Sequence, residues 1–468
     1  MSNYPINISK IRDKINPRIV RYKNRNEESN QKLFDFSPEI TNVREEVNNF
    51  GEKMIRVDGE IPVNLPIKNE DRFLFISYDQ SILTHGLHKY PAKFFPELPR
   101  WLIKRYSDEY DTILDPFCGS GTTNLEALLN KRHSIGIDVD PFSRYLSRVK
   151  TTPLNENELD DSCSILLKEI MDFKPFLVES EIPDFPYRDQ WFNKEIVLEL
   201  AYIKEKIENL NFDEDIKDFY RICFSSIIRS VSNADDNCTR TVIRKKLNKQ
   251  VYPADALTKF VESILIKVPK MKEFSRKCPK DIRVTFPEDN DARKILYTDN
   301  SFDLAVTSPP YANAVDYPRT HQLEIYWLEL ADGSLTPLKR KHVGTESVKI
   351  EEYKTLHNIG ILEADEAIYN IYQKDPRRAY IGYKYLFDMQ ENLKEVYRVL
   401  KPESRYIIVV GNNRIREEVF KNWLYIMKMS ERIGFKLESF FASEIIKHFI
   451  KVPREERIDT DWVLVLQK

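Results

Sequence analysis

The chain has 468 residues, 41% hydrophobic and 12% aromatic, which supplies a large core and excludes a mainly disordered chain. No run nears the ~18 apolar residues of a transmembrane helix, and the first thirty residues lack the apolar stretch of a secretory signal. Five cysteines show no pairing pattern, so no membrane partner and a reducing, cytoplasmic location are expected. The net charge is −2, yet residues 10–25 carry seven Lys/Arg against one Asp, and residues 221–283 carry fifteen against six Asp/Glu. Such blocks either solvate a face or meet a polyanion.

In chain order, residues 1–75 read as a basic arm and polar leader. The apolar run Thr112-Ile113-Leu114 stops at Asp115-Pro116, and a Gly/Ser/Thr turn follows. Leu125, Leu128 and Leu129 then recur at helical spacing, and a second run from Ser134 to Ile137 ends at Asp138. This is a βαβ unit. Residues 151–284 read as helices, with Ile196, Leu200, Ile203, Ile207 and Leu210 on one face and Leu257, Phe260, Val261 and Ile264 on another. The α/β pattern returns at Leu304–Thr307. A helix through Leu386, Met389, Leu393, Val396 and Leu400 is stopped by Pro402, and a strand over Tyr406–Val410 follows. Residues 414–430 look helical, and Lys436–Phe440 and Trp462–Leu466 read as strands. The expected organisation is a leader (1–75), one α/β domain (76–150 and 285–468) and a helical insertion (151–284).

Two turns carry chemistry. In Asp115-Pro-Phe-Cys-Gly-Ser-Gly-Thr-Thr123, Gly119 and Gly121 let backbone approach a ligand where a Cβ would clash. Asp138, 23 residues after Asp115, has the offset of a carboxylate that accepts ribose hydroxyls. No Lys-Ser/Thr pair follows the glycines, so this is not a Walker-type phosphate loop. Asp115 favours a cationic amine or sulfonium. A purely structural turn is the bland alternative. In the second turn, Thr307-Ser308-Pro309-Pro310-Tyr311, two prolines stiffen a strand end. It presents a hydroxyl, a free carbonyl and an aromatic ring, a set suited to a flat base with an exocyclic amine; a rigid turn without chemistry is the rival.

These residues resemble the S-adenosylmethionine-dependent amino-methyltransferases of DNA. DPFCGSGTT is similar to their glycine signature and SPPY to their catalytic tetrapeptide. His88-Lys-Tyr-Pro-Ala-Lys-Phe-Phe-Pro-Glu-Leu-Pro99 resembles the segment that covers the cofactor's methionine end, and Asn290-Asp291-Ala292-Arg293 the short acidic motif near its adenine. The resemblance implies a Rossmann-like class I methyltransferase sheet, α/β, with a mainly helical insertion, and S-adenosylmethionine as cofactor. Its implied cofactor residues are Lys93, Phe94, Asp115, Phe117, Gly119, Gly121, Thr122, Asp138 and Asp291. Ser308, Pro309, Pro310 and Tyr311 would be catalytic, acting on the N4 amine of a flipped cytosine. The expected partners are double-stranded DNA and a cognate restriction endonuclease. Adenine N6 is the alternative target; RNA or protein substrates, or a non-catalytic DNA-binding module, are more distant ones.

About fifteen residues separate Asp291 from Ser308, too few for a target-recognition domain. The basic insertion is therefore the expected DNA region, with Arg240, Arg244, Lys245, Lys246 and Lys249 as candidate contacts. Lys339-Arg340-Lys341 is a smaller rival. His85 and His88 lack the companions of a metal site, so no metal is expected. Glu352-Tyr353-Lys354 lacks the upstream Asp of a nuclease, and Arg319 and His321 are as easily structural as DNA-facing.

Overall fold

The computed structural model describes residues 42–47, 51–174, 181–244, 246, 248–312, 315–444 and 460–468. The basic arm of residues 10–25, and Lys245, lie outside the described residues. Three strands open the described chain: β1 (Val43–Val47), β2 (Lys53–Asp58) and β3 (Arg72–Ile76). The βαβ unit follows as α1 (Glu97–Tyr106), β4 (Thr112–Asp115), α2 (Thr122–Leu129), β5 (His133–Gly136) and α3 (Pro141–Thr151). Long helices α4 (Glu156–Met171), α5 (Lys194–Glu208), α6 (Glu214–Ile228) and α7 (Asp255–Lys277) fill the next stretch. The chain returns through β6 (Val284–Thr285) and β7 (Phe302–Thr307), then α8 (Leu362–Lys374), α9 (Pro376–Val399) and β8 (Leu400–Gly411). It ends with the hairpin β9 (Asn413–Ile415) and β10 (Glu418–Phe420), α10 (Asn422–Ile433), β11 (Lys436–Glu444) and β12 (Thr460–Gln467).

Ten strands form one sheet in the order β1-β2-β3-β11-β12-β8-β7-β4-β5-β6. From β8 to β6 every pairing is parallel, and β12 runs antiparallel between β8 and β11. This is a Rossmann-like α/β sheet. From β4 the chain winds outward through β5 to β6, then crosses back to β7 on the other side. Ligands of such sheets bind beyond the strand ends where the winding reverses, here between β4 and β7.

Alternate residues of the central strands feed two layers. Leu114, Ala305, Ile408 and Leu464 join a core beneath α8, α9 and α10, whereas Ile113, Leu304, Ile407 and Val463 join one beneath α1 with Trp101 and Leu102. Burial on both faces explains why β7 reads as a nearly continuous apolar run. The third core runs without a break from Leu125 and Phe142 of α2 and α3, through α4–α7, to Leu323 and Trp327. Among the described residues no helix is long and apolar enough to cross a membrane.

Two stretches differ from the sequence reading. The stretch 1–75, read as leader, contributes three strands from Val43 on, the last of which ends at Ile76; Val57, Phe73 and Phe75 alternate into the core beneath α1. Residues 414–420, read as helix, form the β9–β10 hairpin, because Arg416 and Glu417 take φ of 50° and 72°, as in a two-residue type I′ turn. The helix begins only at Asn422.

A buried ionic knot fixes α2 to its neighbours. His85 Nε2–H donates to Glu126 Oε1 at 2.8 Å, and Arg100 Nε on α1 donates to Oε2 at 2.7 Å. Burial works against the Glu126 charge, but His85 and Arg100 outweigh it and hold the carboxyl at about 2. Burial lowers His85 to about 4, so it is neutral at pH 7. Glu126→Gln is expected to cost about 3 kcal/mol in urea unfolding at pH 7, since it strips one member from a buried ionic set. Both shifts penalise acid. The unfolded chain protonates His85 first, near 6.5, and the Glu126 contribution is lost as pH falls from 4.5 towards 2. The gap between wild type and variant should therefore narrow below pH 4.5.

Candidate active site

The glycine turn closes β4 and opens α2. Gly119 and Gly121 have φ of +50° and +69°, and a Cβ on Gly121 would lie 2.7 Å from Cβ and Oγ of Ser147 on α3. The loop is held from behind. Ser147 Oγ donates to Gly119 O at 2.9 Å, and the buried Lys150 ammonium donates to Ser120 O at 2.5 Å. Burial, with Lys93 nearby, lowers Lys150 to about 7.

One cleft at the β4/β7 crossing collects most of the residues singled out by the sequence. Asp115, Phe117, Gly119 and Thr122 line it from the turn, and Asp138 from the end of β5. Lys93 and Phe94 line it from the segment before α1, Asp291 from the loop before β7, and Ser308 and Pro310 from the proline turn. Three of the expected residues stand back from it. Gly121 packs behind, against Ser147. Pro309 is buried, and the Tyr311 hydroxyl donates to Asp461 Oδ1 on β12 at 2.6 Å. The Lys93 ammonium is turned onto the carbonyls of Gln80 (2.9 Å) and His85 (3.2 Å).

The cleft is acidic. Asp115 Oδ1 accepts from Phe117 N at 3.1 Å and from the Thr307 hydroxyl of β7 at 2.6 Å. Asp138 accepts from Gly119 N (2.9 Å) and Asp140 N (2.8 Å). Burial pushes both carboxyls up to about 6; for Asp138 the neighbouring Asp140 adds to it. Burial also opposes ionisation of Asp291, but hydrogen bonds from Arg293 outweigh it and hold this carboxyl below the usual range. The Thr122 hydroxyl, buried on the cleft wall at the first turn of α2, has no hydrogen-bond partner among the described residues.

The sequence missed the opposite wall. Tyr90 stacks on Tyr317 (5.6 Å between centroids, 22°) and on His321 (5.1 Å, 22°), and its hydroxyl meets Ser143 Oγ at 2.8 Å. Lys341, His342 and Val343 face the same space, and His342 Nε2 lies 3.5 Å from Asp140 Oδ2. Burial lowers His342, but Asp140 outweighs it and raises the imidazole overall. Tyr90 lay inside a quoted motif; nothing local marked Tyr317 or His342.

Of the candidate DNA contacts, Arg240, Arg244 and Lys246 are exposed on the loop between α6 and α7. Lys249 is turned inward: its ammonium donates to Ala234 O at 2.9 Å and to Arg229 O at 3.2 Å.

Residues 3–147 match the DNA methylase family model, and residues 89–277 the RMKL-like methyltransferase domain. The chain is 28% identical over 383 residues to Type II methyltransferase M.MvaI of Kocuria varians, covering 75% of this chain and 82% of that protein. It is 26% identical over 409 residues to Type II methyltransferase M.BsoBI of Geobacillus stearothermophilus, covering 76% and 79%. A solved S-adenosylmethionine-dependent methyltransferase from Methanosarcina mazei aligns with 81% of this chain and 98% of its own, at 12% identity and a TM-score of 0.30.

Two measurements probe this cleft. Gly121→Ala should weaken S-adenosylmethionine binding at least about tenfold by calorimetry, because alanine rarely adopts this left-handed backbone and its new Cβ meets Ser147. Wild-type affinity for this cation should fall as pH drops through about 6, where Asp115 and Asp138 take up protons.

Proposed function

We propose that this chain, which resembles the S-adenosylmethionine-dependent amino-methyltransferases of DNA in its motifs and its relatives, methylates the exocyclic N4 amine of a flipped cytosine at a specific DNA site. The observation that carries this reading is the buried bond from Thr307 to Asp115. It sets the proline turn beside the glycine turn, so an acidic cofactor cleft and an amine-accepting turn share one opening.

The residues present fit the cofactor. Three carboxylates, a glycine cradle and the unpartnered Thr122 hydroxyl suit a ligand with a cationic centre, an amine and hydroxyls better than a polyphosphate. Asp115 would take the methionine amine, Asp138 the ribose hydroxyls and Asp291 the adenine, with Phe94 against the methionine end. S-adenosylmethionine supplies a methyl group on a sulfonium, electrophilic enough to need no covalent enzyme adduct. The Cys118 thiol agrees with that chemistry, since burial pushes it well up, away from the thiolate form.

The protein's task is to ready a poor nucleophile. An exocyclic amine delocalises its lone pair into the ring. The Ser308 hydroxyl and Pro309 carbonyl accept hydrogen bonds from its two N–H groups, localise the lone pair and aim it; positioning of this kind supplies roughly 11 kcal/mol at best. A duplex hides the amine in its base pair, so the base leaves the stack, and by the family resemblance Tyr311 would stack on it. The serine at the head of the tetrapeptide, by the family resemblance, favours cytosine N4 over adenine N6. The Type II relatives support a role in restriction-modification beside a cognate endonuclease.

Incubating the protein with unmethylated bacterial DNA and S-adenosylmethionine, then digesting to nucleosides for mass spectrometry, tests the reading. N4-methylcytosine is expected. N6-methyladenine would transfer the same chemistry to another base, and no methylated nucleoside from a cofactor-binding protein would refute DNA methylation by this chain. Ser308→Ala should lower kcat about 100-fold while S-adenosylmethionine affinity stays within about twofold.

A further inference from the structure

The basic segment between α6 and α7 shapes itself. Arg229, just past the end of α6, points its guanidinium into the loop and donates to the carbonyls of Asp235 (2.8 Å), Cys238 and Thr239 (3.4 Å). Lys249 closes the loop from its other end, on Ala234 O, Arg229 O and Asp236 Oδ1. A backbone bond from Asp235 N to Val242 O at 2.9 Å ties the middle. Residues 229–250 hold six cations and two acids, and two of those cations are thus spent on the loop's own carbonyls. Three of the others point outward: Arg240 and Arg244 have side chains 45% and 58% exposed, and Lys246 is exposed. Arg244 is steadied by Asp235 at 3.3 Å.

The loop is hitched to the cleft at two points. The buried Thr241 hydroxyl donates to Thr320 O at 2.7 Å, in the short helix that carries Tyr317. Arg240 lies 3.9 Å from Glu346, two residues beyond Gly344. A Cβ on Gly344 would lie 3.0 Å from the Tyr311 carbonyl, so this second anchor abuts the proline turn itself. Arg340 and Lys341, both exposed, continue the positive charge along the same wall.

We propose that the described residues among 232–250 form a preshaped DNA-docking loop. Arg240, Arg244 and Lys246 take backbone phosphates beside the opening through which the target base enters, while Arg229 and Lys249 are positioning residues that hold the loop and do not touch DNA. This rests on the reading that the substrate is duplex DNA. Phosphates give affinity and register, and a loop already held in shape loses less entropy on docking.

Fluorescence anisotropy of the full chain with a mixed-sequence 30-base-pair duplex, between 50 and 200 mM salt, tests it. Each lost phosphate contact flattens the slope of log K against log salt by about 0.9. The double variant Arg244→Ala/Lys246→Ala is expected to lose about 1.8 of slope, with S-adenosylmethionine affinity and thermal melt unchanged. Arg229→Gln should weaken binding about tenfold with the wild-type slope, and Arg229→Lys should restore part of it. A double variant with the wild-type slope, while wild type binds the duplex, would overturn the loop and leave the methyltransferase reading standing. A wild type that binds RNA but no duplex would instead refute the substrate reading, and the loop's role with it.

Discussion

The hydrogen bond from Thr307 to Asp115 is the constraint around which the cleft is arranged. It joins the last residues of β4 and β7, strands that are neighbours in the sheet but far apart in the chain, at the point where the winding reverses. A carboxylate buried this deeply is costly, and its raised protonation range records the cost. The bond and the Phe117 amide offset part of it. What the fold gains is a fixed separation between the glycine turn and the proline turn, each rigid in its own right.

The support behind the glycine turn follows the same logic. Ser147 and Lys150 reach forward from α3 to the carbonyls of Gly119 and Ser120, and Thr84 bonds the Lys150 carbonyl from behind. The knot of His85, Glu126 and Arg100 then fixes α2 against α1 and the segment before it. A site placed by layered polar contacts keeps its geometry when side chains at its mouth move.

Much of this was legible in the sequence, and for a physical reason. The βαβ unit and the proline turn are local: short apolar runs, positive-φ glycines and paired prolines leave their marks within a few residues. The facing wall is not local. Tyr317 and His342 reach the cleft only through tertiary packing against Tyr90 and Asp140, and no spacing rule connects them. The β9–β10 hairpin misled because Arg416 and Glu417 are not the residues that usually signal a positive-φ turn. Lys249 misled because charge alone cannot say whether an ammonium faces water or a carbonyl; only the fold places it on Ala234 and Arg229. The strands in the leader were hidden by their shortness, five or six residues each, and by Lys53, Arg56, Asp58 and Arg72 set among their apolar residues.

The unbroken apolar core from α2 and α3 through the four inserted helices has a consequence for how such a protein can change. Nothing in that core marks a seam. Phe142 and Leu146, which help build the wall behind the cleft, pack in the same cluster as Phe219 and Phe260 of the insertion. Excising the insertion would expose the back of the cleft to water, and a helical block from a relative would have to match this packing to replace it. Changes confined to exposed loops leave this shared core untouched, whereas changes to the inserted helices reach the back of the cleft.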